Sequence, residues 1–525
     1  MFPLMNFVVN DRIKEVMEVM GMLKSISLEN YKCFKDKTDI NVAPLTVLCG
    51  VNSSGKSSIL KSLLVLKQSA TGNNKNFSIS LSGDLVDSGN FNNVIYDGED
   101  SASKTFKIIN EFKIRNHNLA SIGKYIKKSD AEAFNELRRI YTAVRGTIKE
   151  FILRVEITIE QNSINLDELT KYINDNRICE YAIFISAIDR ENKIIEECAS
   201  HIIIRNHNDN KHHFITWENI PGFVTSRNEN SFKNYQCVCS FNGLTVSNIF
   251  AYNMPNWVKG IVPNILAISR IVSNQYTNLL YIAPLRNTPE RTYIMNKDVD
   301  SVGIAGQDTP ILLAKLKNKK VDTDMYCPFN NILYKDQFDY TYAEYLTIIQ
   351  QWLDYFEIGK LDISGENRVL NLRLDKHNIA DVGFGVSQLL PIISQGVCMN
   401  KEQTLLIEQP EIHLHPKMEL QMADFLIHMA KTERQVIVET HSDHIINRII
   451  KRAMENPSLV ADTNPLIKII FLDKENMTST QKIDIHIDKY RGVLNGTKNF
   501  FTQFGFEQME IAKQGYENHK RDQLK

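Results

Sequence analysis

The feature that most constrains the fold is a glycine-rich octapeptide near the N-terminus. Residues 50–57 read GVNSSGKS and fit the phosphate-loop pattern G-x-x-x-x-G-K-[ST] at every fixed position. An apolar run at 44–49 precedes the loop and predicts a strand, and residues 58–66 predict a helix. Because a turn between a strand and a helix directs consecutive backbone N–H groups and the helix dipole at one point, this segment predicts a bound phosphate.

The side chains of the loop predict the ligand more closely. Lys56 would reach the β- and γ-phosphates and the Ser57 hydroxyl would bind a metal ion, so we expect ATP together with Mg²⁺. The remaining predicted nucleotide contacts in this segment are Asn52, Ser53, Ser54, Gly55 and Ser58. The alternative interpretation is a glycine-serine turn that carries a surface lysine. The strand before the loop and the helix after it favour the phosphate-binding interpretation.

The composition is typical of a folded protein with several domains. Of 525 residues, 43% are hydrophobic and 23% are charged. The 61 basic and 62 acidic side chains nearly cancel, so any contact with nucleic acid would require a local basic patch. Eight cysteines without a C-x-x-C pair predict reduced thiols and a cytoplasmic location. No apolar run is long enough to span a bilayer, so we expect no membrane contact.

Changes of pattern along the chain predict five segments. They are an N-terminal extension at 1–22, an N-terminal ATPase lobe at 23–105, an α+β insertion at 106–280, a C-terminal ATPase lobe at 281–450 and a C-terminal α/β extension at 451–525.

Within the insertion, helical spacing predicts a helix over 131–141, and apolar alternation predicts a strand over 150–160 with one buried face. Basic residues between 124 and 145 have acidic neighbours at 130, 132 and 136, which favours a solvated helix face over a phosphate contact. The pair His212-His213 has no further ligands nearby in sequence and is predicted to lie on the surface. Farther along, the spacing of apolar and aromatic residues over 345–356 predicts an amphipathic helix whose aromatic side chains belong to the core.

A second chemical motif lies in the last third of the chain. The apolar run Thr404-Leu405-Leu406-Ile407 predicts a strand, and it ends in Glu408. A buried acid at the end of such a strand is the expected partner of Mg²⁺ in a nucleotide site. The sequence therefore predicts that Glu408 and Ser57 share the metal ion.

Three further runs resemble a known superfamily. The segment 407–416 resembles the E-x-P-E-x-H-L-H-P run of RecF-like and OLD-like members of the ABC ATPase superfamily. Residues 381–388 resemble the signature loop of these proteins, and 436–442 resemble their switch-histidine strand. Together with the phosphate loop, the motifs occur in the expected order and cover about the first and last thirds of the chain. The resemblance implies an α/β fold, an ABC-type ATPase head with a mixed sheet flanked by helices.

The resemblance also implies roles for particular residues. Gly385, Ser387 and Gln388 belong to the signature loop, where the serine contacts the γ-phosphate held by a second copy of the protein, so ATP would join the copies into a dimer or a larger homo-oligomer. His441 would contact the γ-phosphate of its own chain. Gln409 stands where many relatives carry the glutamate that positions water, and an amide accepts no proton. Either Glu411 or Glu408 supplies the base or ATP acts chiefly as a clamp, and we expect slow hydrolysis.

The C-terminal region resembles a subgroup of bacterial ATPases that includes PtuA, the ATPase of the Septu anti-phage system and of some retrons. This implies an HNH endonuclease partner, PtuB, and leaves open whether a reverse transcriptase and its DNA product belong to the complex. The tail lacks the E-G-x-x-E opening of a Toprim nuclease, so the chain is not expected to be a nuclease itself. Two alternatives remain, the AriA ATPase of the PARIS defence system and a RecF- or SMC-like ATPase whose middle third contacts DNA in repair or tethering.

Overall fold

The computed structural model describes most of the chain. The described residues are 21–72, 78–101, 103–115, 148–162, 176–206, 213–218, 231–250, 256–329, 342–475 and 479–500. The predicted helix over 131–141, the basic residues between 124 and 145 and nearly all of the predicted N-terminal extension lie outside them. The chain divides into two compact units, of which the first comprises residues up to 41 together with 58–279, and the second comprises 42–57 together with the residues from 280 onward.

The first unit is built on an antiparallel sheet. Its strands are β1 (Met22–Glu29), β2 (Thr38–Asn41), β4 (Thr105–Arg115), β5 (Ile148–Gln161), β6 (Asn176–Asp189), β7 (Ile194–Asn206), β8 (His213–Glu218), β9 (Ser231–Asn242) and β10 (Thr245–Phe250). In space they follow the order β10-β9-β8-β7-β6-β5-β4-β1-β2. Helices α2 (Phe91–Val94) and α3 (Asn256–Thr277) also belong to this unit, as does most of α1 (Lys56–Thr71).

The alternating pattern of β5 produces the predicted buried face. Leu153, Val155, Ile157 and Ile159 are each at most 2% exposed, which confirms the strand predicted over 150–160. The prediction that His213 lies on the surface is wrong, because its side chain is only 5% exposed. Its ring lies near Phe241, and its Nδ1 accepts a hydrogen bond from the backbone N–H of Cys239. The strand partners of β8 cover this position, and the local sequence carries no sign of them.

The second unit contains the sheet that matters for function. Its strands follow the order β11-β18-β19-β3-β20-β21. They are β3 (Leu45–Gly50), β11 (Leu280–Ile282), β18 (Thr404–Glu408), β19 (Gln435–Glu439), β20 (Ile467–Glu475) and β21 (Ser479–Asp484). All neighbouring pairs except β20 and β21 are parallel. Every residue of β3, β18 and β19 is buried, as expected for parallel strands covered on both faces.

Five α-helices and smaller sheets complete the described part of the second unit. The helices are α4 (Thr309–Leu316), α5 (Tyr345–Tyr355), α6 (Phe384–Cys398), α7 (Pro416–Lys431) and α8 (Asp443–Glu455). The short strands are β12 (Tyr293–Ile294), β13 (Lys320–Asp322), β14 (Tyr342–Glu344), β15 (Leu361–Glu366), β16 (Val369–Leu374), β17 (His377–Asn378), β22 (Ile487–Asp488) and β23 (Gly492–Val493). In α5, Tyr345, Ile349 and Trp352 are fully buried, which confirms that the aromatic residues of this helix belong to the core.

The topology brings distant segments to one edge. The carboxyl ends of β11, β18, β19 and β3 meet at the same edge of the parallel sheet, which is where open α/β sheets bind ligands. The predicted phosphate loop follows β3 there, and the predicted acid Glu408 ends β18. The α/β class predicted from the sequence is confirmed by these sheets and their helices. Among the described residues, no helix is both long and apolar enough to cross a bilayer.

Candidate nucleotide-binding site

The phosphate loop begins at a position that only glycine tolerates. Gly50 has φ +139°, and a Cβ placed on it would lie 2.0 Å from the carbonyl oxygen of Leu472 in β20. The next residue, Val51, donates its backbone N–H to the same carbonyl at 3.2 Å. The neighbouring strand therefore holds the start of the loop, and a side chain at Gly50 would push the two strands apart.

The side chain of Lys56 folds back onto the backbone of the phosphate loop. Its Nζ donates to the carbonyl oxygens of Gly50 and Val51 at 3.0 and 2.8 Å, and the residue is only 4% exposed. Burial lowers the pKa of Lys56, and the nearby Glu439 carboxylate acts in the opposite direction. A buried ammonium group that is held by two neutral carbonyls at a helix N-terminus is suited to bind an anion.

The rest of the loop is a tight turn with left-handed backbone at two positions. Ser53 and Gly55 have positive φ angles of 59° and 102°. Asn52 and Ser53 are exposed, whereas Ser54 and Gly55 are buried and Ser57 and Ser58 lie between these extremes. Thr480 of β21 donates its hydroxyl to the carbonyl of Ser54 at 2.9 Å. Sequence reasoning missed this support, which comes from a strand more than four hundred residues along the chain.

Two buried glutamates stand side by side beyond the loop. Glu408 and Glu439 are 7% and 4% exposed, and they are paired residues of the parallel strands β18 and β19. Tyr281 donates its hydroxyl to Oε1 of Glu408 at 2.9 Å. The Ser57 hydroxyl, which was predicted to share a metal ion with Glu408, donates to Oε1 of Glu439 at 2.7 Å. Sequence reasoning missed Glu439, although it stands within the switch-histidine run.

Glu411 connects the acid strand to the histidine strand. Its Oε1 accepts the backbone N–H of His441 and its Oε2 accepts the hydroxyl of Thr440, both at 2.8 Å. Burial raises the pKa of the Glu411 carboxyl. Burial lowers the pKa of the His441 imidazole, and the positive charge of Lys56 acts in the same direction.

Arg286 supports the end of the acid strand from the other side. Its Nη2 donates to the carbonyls of Glu408 and Gln409 at 2.9 and 3.3 Å, and the residue is 6% exposed. Burial lowers its pKa to about 10, with Glu411 opposing, so the guanidinium is charged at neutral pH. Among the described residues, Nε and Nη1 have no hydrogen-bond partner. Gln409 adopts φ +46° and donates its N–H to the carbonyl of Glu439 at 2.7 Å.

The predicted signature residues lie at the start of α6. The Ser387 hydroxyl donates to the carbonyl of Phe384 at 2.7 Å, and Ser387 is 8% exposed. Gln388 donates its side-chain amide to the carbonyl of Arg286 at 3.5 Å. The structure therefore connects the signature helix to Glu408 through Arg286. Gly385, two residues before Ser387, is half-buried.

These residues fit a nucleoside triphosphate with its cation. The loop backbone and Lys56 offer donors to phosphate oxygens, and Ser57, Glu408 and Glu439 offer oxygen atoms of the type that Mg²⁺ prefers. The unpartnered donors of Arg286 add positive charge beside the acid strand. A phosphate loop, neighbouring buried acids and a histidine at the edge of a parallel sheet define the class of phosphate-loop ATPases.

Comparison with protein families agrees with this class. The family model described as AAA ATPase domain matches residues 22–446, and the chain belongs to this family. The prediction of an ATPase domain is therefore confirmed. No curated protein matches the sequence.

Solved structures give weaker likenesses. The chain aligns with an Smc head bound to the C-terminal winged-helix domain of ScpA at 12% identity and a TM-score of 0.39, covering 89% of this chain and 98% of the other. The SMC head domain from Thermotoga maritima aligns at 11% identity and a TM-score of 0.34, with coverages of 89% and 100%. An Smc head bound to the C-terminal domain of ScpA, from Pyrococcus furiosus, gives 12% and 0.35, with coverages of 89% and 96%. These low TM-scores decide neither the fold nor the function of this chain.

Proposed function

We propose that the chain binds ATP with Mg²⁺ and hydrolyses it slowly. The observation that supports this proposal most directly is the position of Lys56, whose buried ammonium group donates hydrogen bonds to the carbonyls of Gly50 and Val51. In that position it can exchange two neutral acceptors for the oxygens of a β- and a γ-phosphate, which are stronger partners of a cation. The N–H groups of residues 52–58 would receive the remaining phosphate oxygens.

Each group at the edge of the sheet has a role in this proposal. Ser57 and Glu408 would hold Mg²⁺, which when bound neutralises the charge that develops on the phosphates. His441 stands two residues after Glu439, which accepts the Ser57 hydroxyl at the end of β19, and it would contact the γ-phosphate. These assignments follow from the motifs and are supported by the proximity of the side chains.

We propose slow turnover because of the side chains that would surround the attacking water. Gln409 is an amide and accepts no proton. Both oxygens of Glu411 already accept hydrogen bonds, from Thr440 and from His441. Glu411 therefore holds the histidine strand and would also have to activate the water, since each carboxylate oxygen can accept a second hydrogen bond. We propose that ATP acts mainly as a clamp and that its hydrolysis resets the clamp.

The clamp would join copies of the chain. The signature residues Gly385, Ser387 and Gln388 stand at the N-terminal end of a long helix, where backbone N–H groups and the helix dipole favour an anion. We propose that this end contacts the γ-phosphate bound by a second copy, as in ABC-type ATPases. Ser387→Arg should then prevent ATP-dependent dimerisation in analytical ultracentrifugation without preventing ATP binding. ATP-dependent dimers of that variant would contradict the trans contact.

The biological setting is proposed from the resemblance of the C-terminal motifs. We propose a cytoplasmic ATPase subunit of a PtuA-like anti-phage defence complex that regulates an HNH nuclease partner and is not a nuclease itself. Whether a reverse transcriptase and its DNA belong to the complex stays open. The alternatives are a PARIS-type ATPase and a RecF- or SMC-like ATPase of DNA repair or tethering. Co-purification with a nuclease from an adjacent gene would favour the first proposal, and salt-sensitive binding of duplex DNA by the chain alone would favour the last.

The test of the core proposal is the variant Lys56→Ala. We expect it to lose binding of a fluorescent ATP analogue by at least about a hundredfold, because the cation and its geometry are both removed. Lys61→Ala is the matched control, since Lys61 lies on the same helix and is partly exposed. Normal nucleotide binding by Lys56→Ala would overturn the proposed function.

A further inference from the structure

The Ser57 hydroxyl forms a hydrogen bond with one of the two buried glutamates. It donates to Oε1 of Glu439 at 2.7 Å. In phosphate loops of this type the serine hydroxyl is a direct ligand of Mg²⁺, so an acid that touches it lies in the coordination sphere of the ion or one bond away. Glu439 therefore stands where a metal ligand is needed, although the motif comparison assigned that role to Glu408.

The two glutamates form a pair. Glu408 and Glu439 are matched residues of adjacent parallel strands, whose backbones lie about 4.8 Å apart. Both are almost fully buried. Two buried carboxylates at this spacing repel each other, and a divalent cation between them removes the repulsion.

The surrounding groups identify this pair as part of the nucleotide site. Tyr281 donates its hydroxyl to Glu408 at 2.9 Å, and Lys56 directly precedes Ser57, whose hydroxyl contacts Glu439 at 2.7 Å. Gly50 and Lys56 independently mark the adjacent space as a phosphate cradle. The pair is therefore more than a cluster of acids, because a hydroxyl and a phosphate loop converge on it.

We infer that Glu439 is the second acidic group of the Mg²⁺ site and that the cation is held between Glu408 and Glu439 beside Ser57. This inference rests on the proposed function and deepens it. With two carboxylates and a hydroxyl available, the site binds a divalent cation before the nucleotide arrives. Without the cation, the same two charges oppose the approach of a triphosphate.

The experiment uses the full chain and Mn²⁺ as a spectroscopic substitute for Mg²⁺. Binding of Mn²⁺ without nucleotide is measured by electron paramagnetic resonance in the wild-type chain, in Glu439→Gln and in Glu402→Gln. Glu402 is the matched control, because it is a buried glutamate two residues before β18, at the opposite edge of the sheet. We expect Glu439→Gln to weaken Mn²⁺ binding by about tenfold or more and Glu402→Gln to leave it unchanged.

Binding of a fluorescent ATP analogue separates a metal role from a structural one. In EDTA, Glu439→Gln should bind the analogue as well as or better than the wild-type chain, since one repelling charge is gone. When Mg²⁺ is present, the affinity of Glu439→Gln for the analogue should not rise as that of the wild-type chain does. A purely structural role for Glu439 predicts weaker binding under both conditions and would overturn the inference.

Two further outcomes are distinguishable. Mn²⁺ binding by Glu439→Gln at wild-type affinity overturns the inference, while nucleotide binding that depends on Lys56 leaves the proposed function intact. If the wild-type chain binds no nucleotide with or without metal, both the proposed function and the inference about Glu439 are wrong. If Glu439→Gln does not fold, as judged by circular dichroism, Glu439→Asp replaces it. That variant keeps the charge one methylene farther back, and unchanged Mn²⁺ binding by it would likewise contradict direct ligation.

Discussion

The carboxylate of Glu411 accepts the backbone N–H of His441 at 2.8 Å, and this bond joins two strand ends that are 30 residues apart in the chain. The second carboxylate oxygen accepts the Thr440 hydroxyl at the same distance. A side chain that the sequence predicts as one of two candidate bases thus also holds the histidine strand in place. Each carboxylate oxygen can accept a second hydrogen bond, so these contacts leave it able to act on water.

Replacement of Glu411 by glutamine distinguishes the two roles. An amide presents one acceptor and one donor and carries no charge, so the Thr440 bond must reverse its direction and both bonds lose their charged acceptor. We expect Glu411→Gln to lower stability by about 2 kcal/mol and Glu411→Ala by somewhat more, since hydrogen bonds to charged groups contribute about 1.5–3 kcal/mol each. Thermal unfolding measures this, with the exposed Glu366→Gln as control. Unchanged stability together with abolished single-turnover hydrolysis would instead identify Glu411 as the base.

Replacement of Gly50 tests whether the backbone conformation at the start of the phosphate loop is needed for nucleotide binding. Gly50→Ala combines a positive φ with a Cβ placed 2.0 Å from the Leu472 carbonyl, so β3 and β20 must separate at this point. We expect a loss of ATP affinity of at least about tenfold together with a lower thermal midpoint. Gly383→Ala is the control, because a Cβ there meets nothing within 4 Å. Wild-type affinity in Gly50→Ala would show that the loop does not need this contact.

The buried Asp424 predicts a pH-dependent contribution to stability. Its side chain is 1% exposed and accepts hydrogen bonds from Arg448, Arg452 and Tyr355 at 2.7–3.3 Å. Burial by itself raises the pKa of Asp424, but the bonds from Arg452, Arg448 and Tyr355 outweigh it, and the pKa is lowered overall. A carboxyl with a lowered pKa stabilises the fold above its unfolded pKa, about 3.9, and this contribution is lost as the pH falls through the folded pKa.

Asp424→Asn should therefore destabilise the chain most at neutral pH. We expect a loss of about 3–5 kcal/mol at pH 7, because two arginines lose the negative charge and one of the two oxygens that they share. The difference between the variant and the wild-type chain should narrow below about pH 4. Denaturant midpoints measured across this range test the expectation, with the exposed Asp462→Asn as control. A difference that stays constant down to the acid limit would assign the stabilisation to packing rather than to charge.

Local patterns predicted the elements with strong periodicity. The strand over 150–160 and the buried helix around Trp352 follow from the spacing of apolar residues. This spacing can be recognised within one continuous segment, without knowledge of the rest of the fold. The phosphate loop is likewise a local signal, since eight consecutive residues carry it. The burial of His213 was missed because the strands that cover it come from elsewhere in the chain.

The sequence by itself determined that this chain carries a phosphate loop after a buried strand, an acid at the end of a second strand and membership of an ATPase family. The tertiary structure alone decided which side chains meet. The contacts of Ser57 with Glu439, of Arg286 with Glu408 and of Thr480 with Ser54 join residues between 122 and 426 positions apart. No local pattern encodes them, because they arise only when parallel strands from distant segments align their carboxyl ends at one edge of the sheet.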